Sequence, residues 1–203
     1  MIHPDTAVRF VSEEIGHGVV ATAFIPRGTV TWVRDRLDRE FSPAEVAAFD
    51  AAHREILDRY SFRNAGGHYV FCWDHTRFMN HSYRPTCLPT AHGVEVAVRD
   101  VEEGEELTND YGCFNIVEPF TPHGETDPLG RAEVAPDDLV RHAGVWDAEV
   151  EAALRFFSAV RQPLAALIDP GTLELLNGVA AGRTTLRSVA ENFFPDIRSG
   201  SPL

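Results

Sequence analysis

There is no lysine in this 203-residue chain; all 18 basic side chains are arginine. Lysine Schiff-base chemistry and a phosphate-loop lysine are therefore excluded. Cysteine is nearly as scarce. Cys72, Cys87 and Cys113 form no C-x-x-C pair, which argues against both a disulfide framework and a cysteine zinc cluster. That usage implies a reducing, cytoplasmic location. No apolar run approaches the length of a membrane span. The opening MIHPDTAVRF lacks the basic-then-apolar order of a secretory leader. Positive charge is also outnumbered, at 31 acidic residues and a formal net charge of −13. Nucleic acid needs a basic face and is a poor partner for such a chain. A basic protein or peptide, steered in by long-range attraction, suits it.

What remains is a globular composition, with 44% hydrophobic and 24% charged residues, enough for one cored domain with a helical annex. Short apolar or alternating runs predict strands over 6–11, 18–25, Thr29–Val33, His68–Trp73, Val94–Val98 and Leu107–Tyr111. Ser42-Pro43-Ala44-Glu45 opens a helix expected to reach about Tyr60. Residues 116–136 hold Pro119, Pro122, Pro128 and Pro136 and read as a linker or wrapping loop. From about 137 the pattern is helical, with helices expected over Asp147–Val160, Thr172–Val179 and Thr185–Phe193. Many short strands, one helical insert and a helical extension make an α+β fold rather than a βαβ series.

Three short motifs carry chemistry. Gly16-His17-Gly18 lies between strands, where two glycines let backbone approach a ligand closely; alone it reads equally as a hairpin turn. Asn80-His81-Ser82 puts adjacent donors and acceptors in one place, able to read a purine edge or simply to form a polar turn. His81 has no second ligand at metal-binding spacing. Glu105 to Gly112, EELTNDYG, ends in Tyr111, whose hydroxyl could orient a reacting group or just sit wet at a strand end.

In this order, G-x-G, R-F-M-N-H-S-x-x-P over 77–85 and G-E-E-L-T-x-D-Y-G over 104–112, the chain resembles the SET-domain family of protein lysine methyltransferases. The resemblance covers roughly Val8 to Phe114. It implies several small curled sheets and a knot-like C-terminal motif. The domain would span 1–115 with an insert at about 35–73, followed by the wrapping loop 116–136 and the helical extension 137–203. It also implies S-adenosylmethionine as cofactor, held by Gly16, His17, Gly18, Asn80 and His81. Tyr111 would stand beside the transferred methyl, and Phe114 would pack on the adenine. An apolar channel would favour the neutral amine of the substrate lysine. Tyr69, Phe71 and Trp73 are the candidates for its wall, with Asn109 limiting how many methyl groups fit; a residue that small leaves room for di- or trimethylation. The family's zinc-binding cysteine after N-H-S is Tyr83 here, and only Cys113 follows Tyr111, so no zinc is expected. Loop 116–136 and the extension would close the channel instead. Two other readings stay open: a methyltransferase or other cofactor-using enzyme acting on a small non-protein amine, and a non-catalytic binding module.

Overall fold

The computed structural model describes residues 1–122 and 124–195. Residues 196–203 of the expected helical extension lie outside the described part. Ten strands build three small sheets: β1 (Thr6–Ser12), β2 (Gly16–Ala21), β3 (Val30–Val33), β4 (Arg39–Phe41), β5 (Ser61–Arg63), β6 (Tyr69–Phe71), β7 (Asn80–His81), β8 (Cys87–Pro89), β9 (Val94–Ala97) and β10 (Glu106–Asn109). Their orders are β1-β2-β10-β7, β3-β9-β8 and β4-β6-β5. Five helices accompany them among the described residues: α1 (Pro43–Ala47), α2 (Ala51–Tyr60), α3 (Asp138–Arg141), α4 (Ala143–Leu154) and α5 (Pro170–Ala180). The fold is α+β.

The insert departs from the continuous helix expected over 42–60. Ser42 and Glu45 form a reciprocal capping box that starts α1. A second cap, Asp50, accepts from the His53 N–H at 3.0 Å and restarts the chain as α2. Strands β4, β5 and β8 escaped the pattern because each is three residues long, too short for a period to show. The helix expected over Thr185–Phe193 is replaced by a single 3-10 turn at Val189–Asn192. Ser188 caps that turn, and the Val189 N–H donates to Asp147 Oδ1 at 2.8 Å, which anchors Val189 in the core.

The extension shares its core with the SET-like part. Val30, Leu88 and Val96 from the second sheet pack with Leu139, Trp146, Val150, Leu154 and Leu176 in one apolar cluster. Strand β9 is buried along its whole length. Burial of this kind contributes about 25 cal/mol per Å² of apolar surface and fixes the sheet against the helices. A second cluster, with Val19, Ile25, Trp32, Met79 and Leu107, joins the first two sheets. Segment 107–114 therefore runs between two packed bodies.

Candidate active site

The site is assembled where β10 meets β2 and β7. Leu107 and Glu106 pair antiparallel with Val19 and Val20, while Thr108 and Asn109 pair parallel with Asn80 and His81. This register brings Gly18, Asn80, Glu106 and Tyr111 together from three separate stretches. Asn80 Nδ2 donates to His17 O at 3.1 Å and to Glu106 Oε1 at 2.6 Å. Gly18 is needed here because a Cβ would stand 2.2 Å from Glu106 Oε1 and 2.9 Å from Asn80 Nδ2. Gly16 takes φ +84° at the end of the β1–β2 turn. His17 is exposed, with its ring edge-on to Phe10.

His81 is the most informative residue. Its Nδ1 accepts from the Tyr111 N–H at 3.0 Å. In the neutral imidazole the proton is then on Nε2. That nitrogen is buried and has no partner among the described residues. The rings of Tyr83, Tyr111 and Phe120 surround it at centroid distances of 4.8, 5.5 and 5.4 Å. Burial pushes the His81 pKa down from 6.5 to about 4. A buried N–H without an acceptor is costly, and a ligand acceptor would complete it.

The pKa shift has a measurable consequence. The unfolded chain takes up a proton on this histidine near pH 6.5, while the folded chain resists until about 4. Stability from His81 is thus full above 6.5 and drains away as pH falls to 4. The loss is roughly 3 kcal/mol at the acid end. Urea unfolding of wild type and His81→Gln between pH 7 and pH 4 is expected to show the wild-type midpoint falling and a flatter line in the variant.

Tyr111 donates its hydroxyl to Met79 O at 2.7 Å. Burial, then the Glu106 carboxylate, raises its pKa to about 12. The hydroxyl is a positioned donor and not a base. Loop 116–136 wraps over this site. Glu125 Oε2 accepts from the Tyr83 N–H at 2.7 Å and from Ser82 Oγ at 3.2 Å. Phe120 pairs with Val134 across the loop and lays its ring beside His81 and Tyr111. Arg131 ties the loop down through Asp110, Asp127 and Asp138 at 2.5, 2.7 and 3.0 Å. Its guanidinium also lies 4.8 Å from the ring centre of Tyr83, the residue at the resemblance's lost cysteine position.

Several sequence-based placements differ. Phe114 does not stand beside His81. It faces Phe62 at 5.6 Å and Tyr111 at 6.3 Å and lines a cavity of about 320 Å³, while Phe120 is the phenylalanine beside His81. Tyr69 and Phe71 pack within the insert, against Val46 and Leu57. Trp73 is exposed and donates to Asp35. The aromatic walls of the cavity are Trp32, Phe62 and Phe114. Asn109 is buried, and its Nδ2 donates to Glu95 Oε2 at 3.1 Å. Glu95, Phe120 and Arg131 were not anticipated. An aromatic flanked by Pro119 and Pro122, in a loop expected to wrap, was the one available signal for Phe120.

Among the described residues no group of three or more His, Cys, Asp or Glu could hold a metal, and all three cysteines are buried and free. No helix there is long and apolar enough to cross a membrane.

No curated relative matches the chain. A crystal structure of a Plasmodium falciparum protein, provisionally named a histone methyltransferase, is similar over 54% of this chain and 95% of that one, at TM-score 0.41 and 13% identity. The family model for the SET domain matches residues 16–112, the stretch that runs from Gly16 through Asn80 and His81 to Tyr111 and Gly112. Over residues 16–112 the chain is similar to the SET-domain family.

Proposed function

We propose that the protein transfers a methyl group from S-adenosylmethionine to the ε-amine of a lysine in a basic protein or peptide. The observation that carries the reading is the buried, acceptor-less Nε2–H of His81, near Gly18, whose missing side chain leaves room for Glu106 and Asn80 to meet the backbone. The purine ring of the cofactor offers such an acceptor, and its charge fits as well. S-adenosylmethionine carries a sulfonium and an ammonium, and the half-buried Glu106 lies next to Asn80. When bound, the cofactor supplies an electrophilic methyl on sulfur. The chain's own residues position it: Asn80 and His81 hold one end, the His17 and Gly18 backbone the other, and Phe120 covers the ring. Tyr111 fixes the geometry of the reacting centre, since such transfer depends mostly on alignment.

The parallel pairing of Asn80–His81 with Thr108–Asn109, in a sheet otherwise antiparallel, supports the threaded, knot-like closure. Three free, buried cysteines fit a cytoplasmic setting. The formal charge of −13 favours a basic substrate, with loop 116–136 closing over the site.

Isothermal titration with S-adenosylmethionine tests the cofactor side. Wild type is expected to release binding heat, and Asn80→Ala to bind at least about tenfold more weakly, because the variant removes one donor from the cradle and frees Glu106. No heat from folded wild type would overturn the reading.

A further inference from the structure

The methyl-transfer reading makes no use of the cavity of about 320 Å³ walled by Trp32, Phe62 and Phe114. None of Gly18, Asn80, His81 and Tyr111 borders it. Trp32 meets Phe62 edge-on at 6.3 Å, and Phe62 meets Phe114 at 5.6 Å, so the three rings form one continuous wall. The charged residues of the lining are Arg34, Arg63 and Glu95. An apolar hollow with a few polar groups at its edge is the usual form of a small-molecule site.

The charges there do not cancel evenly. Arg34 is paired with Glu40. Arg63 donates to the Tyr69 hydroxyl and lies 4.2 Å from the centre of that ring, and no carboxylate among the described residues is paired with it. Glu95 is 4% exposed and stands directly across from Trp32 in the register of β3 and β9. Its Oε2 accepts from Asn109 Nδ2 at 3.1 Å, and burial raises its pKa to about 7. With Glu95 ionised, two guanidiniums are balanced by two carboxylates. With Glu95 protonated, one positive charge is left over, in a chain whose formal charge is −13. A donor is left over as well. The Trp32 Nε1–H is buried and has no acceptor among the described residues. Buried donors are nearly always paired, so this indole N–H, in a lining with an unneutralised guanidinium, calls for an anionic acceptor.

We infer that this cavity binds a small aromatic carboxylate, its ring against Trp32, Phe62 and Phe114 and its carboxylate on the Trp32 N–H and the Arg63 guanidinium. Edge-to-face and offset ring contacts favour a planar body over an aliphatic one. The guanidinium fork matches the two oxygens of a carboxylate. A dianion such as a phosphate monoester would bring one charge more than the site leaves over.

Binding is tied to a proton. Ionised Glu95 repels the ligand, whereas the protonated carboxyl is neutral and can donate. Glu95 therefore takes up a proton as the anion enters, and affinity is full below pH 7 and falls as pH rises through it. The ionisable groups facing Glu95 are the thiols of Cys72, Cys87 and Cys113, the Asp74 carboxyl, the Met1 amine, and Arg34 and Arg63 at the cavity wall. Burial raises all three thiol pKa values and keeps those groups neutral. The Met1 amine and Asp74 face each other at 3.8 Å with opposite charges.

Calorimetric titration of the full chain with sodium benzoate tests the site, with benzamide as the uncharged isostere. At pH 6 wild type is expected to bind benzoate about tenfold or more tightly than benzamide. Between pH 6 and pH 8 the Glu95 carboxyl passes from about nine-tenths to about one-tenth protonated, so benzoate affinity is expected to drop about tenfold while benzamide holds. Benzoate, like other carboxylates, stays ionised throughout. Glu95→Gln keeps the shape and removes the titration, and is expected to bind benzoate at pH 8 as tightly as wild type does at pH 6. Arg63→Gln is expected to lose the preference for benzoate over benzamide, with a melting curve to show that it is folded. Equal wild-type affinity for the two probes at pH 6 overturns the site. So does a wild-type benzoate affinity that is the same at pH 6 and pH 8, a measurement that needs no variant to fold. A tenfold drop that survives in Glu95→Gln overturns it too. None of these outcomes bears on the methyltransferase reading, which stands or falls with the cofactor titration.

Discussion

Replacing Arg131 with methionine is expected to destabilise the fold by about 3–5 kcal/mol, the cost of leaving buried charge without its partner. The guanidinium is 6% exposed, and its three carboxylate partners, Asp110, Asp127 and Asp138, are 2%, 1% and 3% exposed. With Arg131 gone, three acids share one dry pocket and repel. The loss is not only global. Asp110 immediately precedes Tyr111, and Asp127 lies two residues beyond Glu125, so the node couples the wrapping loop to the reacting segment. Tyr83, at the position of the family's zinc-binding cysteine, lies under the guanidinium. Urea unfolding measures the first effect, and protease cleavage within 116–130 of the folded variant the second. A cost under about 1 kcal/mol, as for a surface pair, would show that the loop is held by its apolar contacts alone. Acid should act on the node late. Burial pushes the Asp127 carboxyl up, but its bonds from Arg131 and from the Leu129 N–H bring it below the ordinary range. Its contribution is therefore full above the unfolded value of 3.8 and is lost only as pH falls below it. His81, by contrast, acts between 6.5 and 4. Acid titration of wild type should show two separable losses, and Arg131→Met only the earlier one.

The motif side of the site was legible because its chemistry is local in sequence. Asn80-His81 and Asp110-Tyr111-Gly112 each sit in one short strand or turn, and their residue types have few alternative uses. The rest depends on pairing over distance. Arg131 is one of 18 arginines, and nothing in its neighbourhood distinguishes it from a surface cation; three aspartates at separations of 21, 4 and 7 residues do. Gly112 carries the trace of that contact, since a Cβ there would stand 2.6 Å from Arg131 Nη1, but a glycine after a tyrosine reads as a turn. Glu95 was hidden by its own pattern. Val94-Glu95-Val96-Ala97 alternates as a half-exposed strand would, which puts the acid in solvent. The strand is in fact covered on both faces, by the helical extension on one side and by Trp32 and Asn109 on the other. The His68–Trp73 run drew attention as a channel wall because it is locally dense in rings, whereas the rings that line the observed cavity come from elsewhere. Trp32 and Phe62 meet only through tertiary packing, 30 residues apart, at a centroid distance of 6.3 Å.

Tyr111→Phe should separate positioning from proton transfer. The hydroxyl donates to Met79 O, the carbonyl just before Asn80, and so links the Tyr111 segment to the proposed cofactor cradle. Removing it strands a buried acceptor, at about 1–3 kcal/mol of stability. Methyl transfer is expected to fall roughly 10²–10³-fold, because the group lost is a preorganised donor at the reacting centre. S-adenosylmethionine binding, read by titration, should change by less than about threefold, since the cradle contacts of Asn80 and His81 remain. The pH profile is the discriminating readout. Burial and Glu106 hold the tyrosine near 12, so a role as base would place its limb there and the variant would abolish it. If the hydroxyl only positions, Tyr111→Phe keeps the wild-type pH profile at the reduced rate. Loss of an alkaline limb in the variant would make Tyr111 the base, and a rate within about threefold of wild type would remove the tyrosine from the reacting centre altogether.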